Sequence, residues 1–237
     1  MTTRVAYVEE PPFYWTAADG SATGADIELA RVVLTRIGET SIEFVPVAFD
    51  DLLSGVSEGR WDMNVPIFVT PERERRVTFS VPVWSLSDGF VVRRGNPKSL
   101  TSYSSVGSDG TARLGLIPGQ VQFDAATAAG VPSDQIVTFA GQAEAVAALL
   151  AGRIDAFAAT TIGNRVIVAD TPELESVPFP ESGAVGAFSF ALASTKLIRD
   201  VNDSLHQYLG SDDHRARMAR YGLTREEIDG ALRAKLR

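Results

Sequence analysis

Strand-length apolar runs alternate with helical periodicity along this chain, and that alternation restricts the folds open to it. Residues 4–8 form a short apolar run. Residues 25–37 then carry Ile27, Ala30, Val33, Leu34 and Ile37 at helical spacing, and Gly38 ends the pattern. A second run spans 42–47, and 50–58 places Leu52, Leu53 and Val56 on one side of a second helix. This β-α-β-α-β order predicts a parallel sheet with helices on its faces. It returns after residue 110, with strands at 113–117, 136–139 and 156–159 and helices at 119–129, 142–150 and 162–169. An apolar strand at 187–193, a helix at 196–209 and two short helices at 215–221 and 225–236 complete the chain.

A weak internal repeat points to two lobes. DDLLSGVSEGRWD and AEAVAALLAGRID share an amphipathic helix, a Gly suited to end it, an Arg, an apolar residue and an Asp entering a strand. Two unrelated helix–Gly–strand junctions would read the same way. Residues 95–110, rich in Gly, Ser, Pro and Asn, read as a connection between lobes. Gly89, with Gly183 and Gly186, suggests a hinge at two chain crossings.

The stretch GRWDMNVPIFVTPERERRVTFSVP, from Gly59 to Pro82, holds the strongest local chemistry. Met63 to Ile67 has buried-strand length, Thr70 can cap the next helix, and Pro71 suits its first position. Arg73 falls in that first turn, where a planar guanidinium suits a carboxylate held by two parallel hydrogen bonds. The alternative is that Arg73, Arg75 and Arg76 are the solvated face of a short helix. The loop Glu9-Glu10-Pro11-Pro12-Phe13-Tyr14-Trp15 sets two carboxylates beside three aromatics, a combination that can clasp a cation or merely cover the core edge.

TPER followed by RVTFSVPVW resembles the T-x-x-R…FS-x-P-[YW] segment of the family 3 extracellular solute-binding proteins, the substrate receptors of amino-acid ABC importers. Pro12-Phe13, Asp19-Gly20 with Gly24-Ala25-Asp26-Ile27, Gly59 to Asp62, and Gly152 to Asp155 fall in the same order as in that family. The resemblance implies a two-lobed α/β fold of the type II periplasmic-binding-protein class, each lobe a mostly parallel sheet flanked by helices, with a ligand cleft between lobes. It implies lobe 1 at 1–90 plus 188–237 and lobe 2 at 91–187. Carried over by position, Arg73 matches the arginine that grips the ligand's α-carboxylate, and Phe49 a wall residue. Glu10 falls where many amino-acid binders place a stacking aromatic, with Glu9 beside it. Gln120 falls near the hydroxyl residues of the second lobe, and Thr160 where the ammonium-pairing aspartate usually stands. The missing acid at Thr160, a 62–70 segment one residue short, and Pro66 and Phe68 in place of small hydroxyl residues all depart from a plain α-amino-acid site.

Composition narrows the remaining classes. A net charge of −8 without a Lys/Arg cluster excludes nucleic acid as a partner. The absence of cysteine removes disulfides, thiol catalysis and cysteine metal sites. His206 and His214 lack metal-ligand spacing and read as surface or helix-packing residues. No cofactor fingerprint or nucleophile elbow is present, so neither a metal nor a cofactor is expected. The expected protein is a monomeric binder that captures a small zwitterionic or cationic amino-acid-like solute and delivers it to an ABC permease. Arg73 would take the anionic group and Glu9 or Glu10 the cationic one. Trp15, Phe49 and Phe68 would supply walls, and Tyr14, Asn64, Asp88, Gln120 and Thr160 further polar contacts. A periplasmic or cell-surface place follows from the resemblance, although the chain enters its first strand without a signal-peptide pattern. The alternatives are an enzyme resembling cyclohexadienyl dehydratase, with Glu9 or Glu10 as general acid, and a ligand-sensing domain of a receptor.

Overall fold

The computed structural model describes residues 2–180 and 183–234, so expectations at 181–182 and 235–236 lie outside the described residues. The chain forms two compact units, Met1–Ser85 with Gly183–Arg237, and Leu86–Ser182. The sequence reading set these borders after residues 90 and 187.

The first unit opens with β1 (Thr3–Tyr7), a short hairpin of β2 (Trp15–Thr16) and β3 (Ala22–Thr23), and α1 (Ala25–Arg36). It continues through β4 (Ile42–Pro46), α2 (Asp51–Ser57), β5 (Met63–Phe68), α3 (Pro71–Glu74), β6 (Thr78–Phe79) and β7 (Trp84–Leu86). The second unit holds β8 (Asp88–Arg93), α4 (Tyr103–Asp109), β9 (Leu114–Leu116) and α5 (Val121–Ala128). β10 (Ile136–Thr138), α6 (Gln142–Leu150), β11 (Ala156–Thr160), α7 (Thr161–Ala169) and β12 (Leu174–Pro178) complete it. The chain then returns to the first unit as β13 (Ala184–Phe190), α8 (Thr195–Tyr208), α9 (Asp212–Ala219) and α10 (Arg225–Ala234).

The two sheets share one plan. In the first, the order is β4-β1-β5-β13-β6, with β7 also on β13. In the second it is β10-β9-β11-β8-β12. Three strands are parallel in each, and the fourth and fifth run antiparallel to their neighbours. Apolar residues lie on both faces of the second sheet, as helix-covered strands require. Phe90, Val92, Ala156 and Ala158 pack into one core, while Val91, Phe157 and Ala159 pack into the other. This is the period-two alternation of a strand read out twice.

The repeat is structural. Asp62 accepts from the Arg4 amide (2.8 Å) and donates its own amide to the Arg4 carbonyl (2.9 Å). Asp155 does the same with Arg113, at 2.9 and 2.8 Å. Each aspartate enters the central strand of its sheet and pins the start of the neighbouring parallel strand. Gly59 and Gly152 precede them with φ of 72° and 70°, the left-handed turn that ends each helix.

Two expectations are corrected. Residues 95–110 are part of the second unit's core layer. Ser102 and Ser105 form a reciprocal capping box that starts α4, and Leu100 and Val106 are buried. Ser-rich composition there marks a helix cap, not a linker. Gly89 and Gly186 lie inside β8 and β13, where a Cβ would strike Val177 O at 2.6 Å and overlap the Trp84 ring, respectively. Close packing within strands, and not a need for backbone freedom, accounts for these two glycines.

Candidate functional site

In each sheet the first parallel strand has the second on one side and the third on the other. In open α/β sheets, loops leaving the carboxyl ends of such strands diverge to opposite faces, and ligands bind at this reversal. In the first unit the loops after β1, β4 and β5 carry Glu10, Phe49 and Arg73 to that end.

The local structure around Arg73 follows the expected helix start. Thr70 caps α3 by accepting the Arg73 amide at 3.2 Å, and Pro71 takes the first turn. Arg73 is buried, whereas Arg75 and Arg76 are exposed, so the solvated-face alternative holds only for the latter pair. Its Nη1 donates to the Phe68 carbonyl at 2.8 Å, and the guanidinium lies 5.5 Å from the Phe49 ring centre. One face of the cation is thereby shielded by an aromatic ring, which strengthens its attraction for an anion by displacing water.

The Glu10 loop closes on itself. The Glu10 amide donates to the Tyr14 carbonyl at 2.8 Å, and the Phe13 and Tyr14 amides donate back to the Glu10 carbonyl at 3.0 and 3.2 Å. The peptide Pro11–Pro12 is cis. Helix α1 anchors the loop: the Ala25 and Asp26 amides donate to the Pro12 and Phe13 carbonyls at 3.0 and 2.9 Å. Gly24 makes this approach possible, with φ of 127° and a position where a Cβ would overlap the Phe13 carbonyl. The Tyr14 hydroxyl donates to Glu10 Oε2 at 3.4 Å. Burial, and then the Glu10 carboxylate, push that hydroxyl well above its usual pKa, so it stays a donor.

Aromatic rings continue the wall. Phe13 lies 6.0 Å from Tyr14 and 5.9 Å from Trp84, and Phe68 meets Trp84 edge-on at 5.1 Å. Trp84 and Phe13 were not among the residues picked from sequence for the site. Only the surrounding motif VPVW pointed to Trp84.

Several candidates are placed elsewhere. Glu9 is exposed and held by Thr16, whose amide and hydroxyl donate to its two oxygens at 3.0 and 2.5 Å, so of the two glutamates only Glu10 bonds Tyr14. Trp15 packs edge-on against Tyr221 at 6.1 Å, not against the Phe13–Trp84 group. Asn64 is fully buried, accepts from Trp61 Nε1 at 2.5 Å and donates to Ser189 Oγ at 2.9 Å. Its polar atoms join β5 to β13 and the Trp61 ring.

In the second unit, Thr160 is the N-cap of α7, accepting the Gly163 amide at 3.2 Å. Asp88 is its register partner on β8, so the two side chains share one face of the sheet. Gln122 Nε2 donates to Asp88 Oδ1 at 2.7 Å, and Gln120 is the buried N-cap of α5. An acid is thus retained beside the position where Thr160 lacks one. Among the described residues no group of three or more His, Asp or Glu could hold a metal ion, and no helix is long and apolar enough to cross a membrane.

Known proteins share this fold. The family model for bacterial extracellular solute-binding proteins, family 3, matches residues 3–224. The probable amino-acid ABC transporter periplasmic-binding protein y4tE of Sinorhizobium fredii (strain NBRC 101917 / NGR234) is 31% identical over 236 residues, 94% of this chain and 78% of that protein. The crystal structure of EhuB in complex with hydroxyectoine has a TM-score of 0.90 and 25% identity, covering 98% of this chain and 91% of that one. The ancestral amino acid-binding protein AncCDT-1, a precursor of cyclohexadienyl dehydratase, has a TM-score of 0.82 at 24% identity over 93% of this chain and 94% of its own, a likeness of fold. With the matched motifs, the shared sheet plan and the strand-end loops in place, the chain belongs to the bacterial extracellular solute-binding proteins of family 3.

Proposed function

We propose that this solute-binding protein captures a small zwitterion whose positive charge is delocalised or alkylated, of the ectoine type, and passes it to an ABC permease. The observation that carries this is the first unit's ring of contacts: Arg73 against Phe49 and Phe68, Trp84 between Phe68 and Phe13, and Tyr14 against Glu10. Arg73 takes the ligand's carboxylate through two parallel hydrogen bonds. Glu10 balances the cation, and the aromatic faces favour an ion that loses little hydration on entry. A primary ammonium wants several localised acceptors, and the position that usually supplies one is Thr160. In the second unit, Asp88 is the acid beside that position. The similarity to EhuB in complex with hydroxyectoine supports the ligand class.

The chemistry is recognition without bond-making, by a monomer working in the periplasm or at the cell surface. A thermal-shift screen setting hydroxyectoine and glycine betaine against the standard amino acids tests the ligand class. Stabilisation by the alkylated or delocalised cations is expected. Strong stabilisation by an unmodified neutral amino acid alone would overturn it. Glu10→Gln should abolish that stabilisation and Glu9→Gln should not. Incubation with prephenate and arogenate tests for bond-making, and aromatic product that disappears in Glu10→Gln would identify an enzyme.

A further inference from the structure

Asp26 is a fully buried acid that the ligand reading leaves unused. It lies in the first turn of α1, and its Oδ2 accepts from Trp84 Nε1 at 3.2 Å. Its Oδ1 is buried with no hydrogen-bond partner. Trp84 in turn touches two of the proposed ligand-facing rings, meeting Phe68 at 81° and Phe13 at 39°. The glycine at 186 leaves room for the indole, so the ring is seated by packing on its flat side and by Asp26 at its polar edge. The Asp26 amide holds the Phe13 carbonyl as well, at 2.9 Å. One residue therefore ties both the loop bearing Phe13 and the indole that separates Phe13 from Phe68.

The geometry points to Asp26 as a positioning residue for ligand recognition: it fixes the Trp84 indole, and through it the relative setting of the Phe13 and Phe68 rings. A cation between aromatic faces gains only if the faces hold their angle and spacing. Contact with a mobile indole would let both rings drift. Burial pushes the Asp26 carboxyl well above the usual carboxylate range, the Trp84 bond opposes this, and Glu10 pushes it further up.

This inference rests on the ectoine-type reading for its probe, but its test has a readout that does not. Asp26→Asn keeps an acceptor for the indole and Asp26→Leu removes it. Hydroxyectoine affinity by calorimetry should fall about tenfold in Asp26→Leu, the worth of one buried hydrogen bond, and stay near wild type in Asp26→Asn. The near-ultraviolet circular dichroism of Trp84, isolated by difference from Trp84→Phe, should change in Asp26→Leu and be restored in Asp26→Asn. Trp84→Phe keeps a ring but no N–H. It should weaken hydroxyectoine similarly, and adding Asp26→Leu to it should cost nothing more. Should Asp26→Leu fail to fold, Trp84→Phe alone decides: wild-type affinity there overturns the role. Equal damage from Asn and Leu at position 26, or an unchanged Trp84 signal in Asp26→Leu, overturns it too. A wild-type protein that ignores hydroxyectoine refutes the ligand class, while the Trp84 signal still tests the positioning.

Discussion

Arg73 stands close in sequence to Arg75 and Arg76, yet of the three only Arg73 is buried. A buried guanidinium that meets a ligand carboxylate leaves an uncompensated charge when either partner is removed. Arg73→Ala should therefore weaken binding by about 3–5 kcal/mol, on the order of a hundredfold or more in Kd. Arg75→Ala and Arg76→Ala should cost about 0–1 kcal/mol, as exposed charges do. Titration calorimetry on the three variants separates these outcomes, and equal losses would refute the assignment. Arg73 can be read from sequence because its cap, its proline and its helix turn are neighbours in the chain. Asn64 misleads for a related reason. It sits in a strand buried on both faces, so alternation gives no sign of which way its amide points, and Trp61 and Ser189 take it. Asp26 and Trp84 meet across 58 residues, and no local spacing marks such a pair.

Helix–strand junctions show how sequence and packing divide the labour. The two Gly-Arg-x-Asp segments fold alike because each aspartate bridges two backbone groups of the adjacent strand's start. Asp155 also pairs with Arg93 at 3.1 Å and Lys98 at 3.2 Å, partners Asp62 lacks among the described residues. Asp62→Ala should cost about 0.5–1.5 kcal/mol, the net worth of one solvent-accessible hydrogen bond, and Asp155→Ala more. Urea unfolding gives the order, and a larger loss at Asp62 would contradict it. A second junction, between α8 and α9, carries a pH dependence. His214 is buried against Tyr208, and its Nδ1 accepts the Gly210 amide at 3.1 Å. Burial, and then Arg215, lower its pKa to about 4. The unfolded chain takes up that proton near pH 6.5 and the folded chain does not, so this stability is complete above pH 6.5 and is lost as pH falls towards 4. The loss approaches about 3 kcal/mol. His214→Gln should flatten that limb of the stability–pH curve, measured by urea midpoints, while an unchanged slope would show that carboxylates alone govern it.

The second unit is one continuous segment and the first is made of two. The second has its own pair of cores on the two sides of its sheet. A fragment of residues 86–182 should accordingly fold alone, with a cooperative thermal transition and native-like circular dichroism. A sloping, featureless melt would show that it depends on the rest. The alternation of strands and helices reveals the parallel half of each sheet, since each strand-helix-strand unit is local. It does not reveal that β8 and β13 insert antiparallel, because that choice is fixed by pairing with strands from distant segments. The insertion of β13 has a bearing on synthesis. Residues 184–190 leave the ribosome only after the entire second unit, yet they fill the gap between β5 and β6 and also pair β7. Until they emerge, β5 offers an open row of backbone donors and acceptors to any passing strand. The segment translated first is thus completed late, and the inserted middle is the part able to finish while translation is still under way.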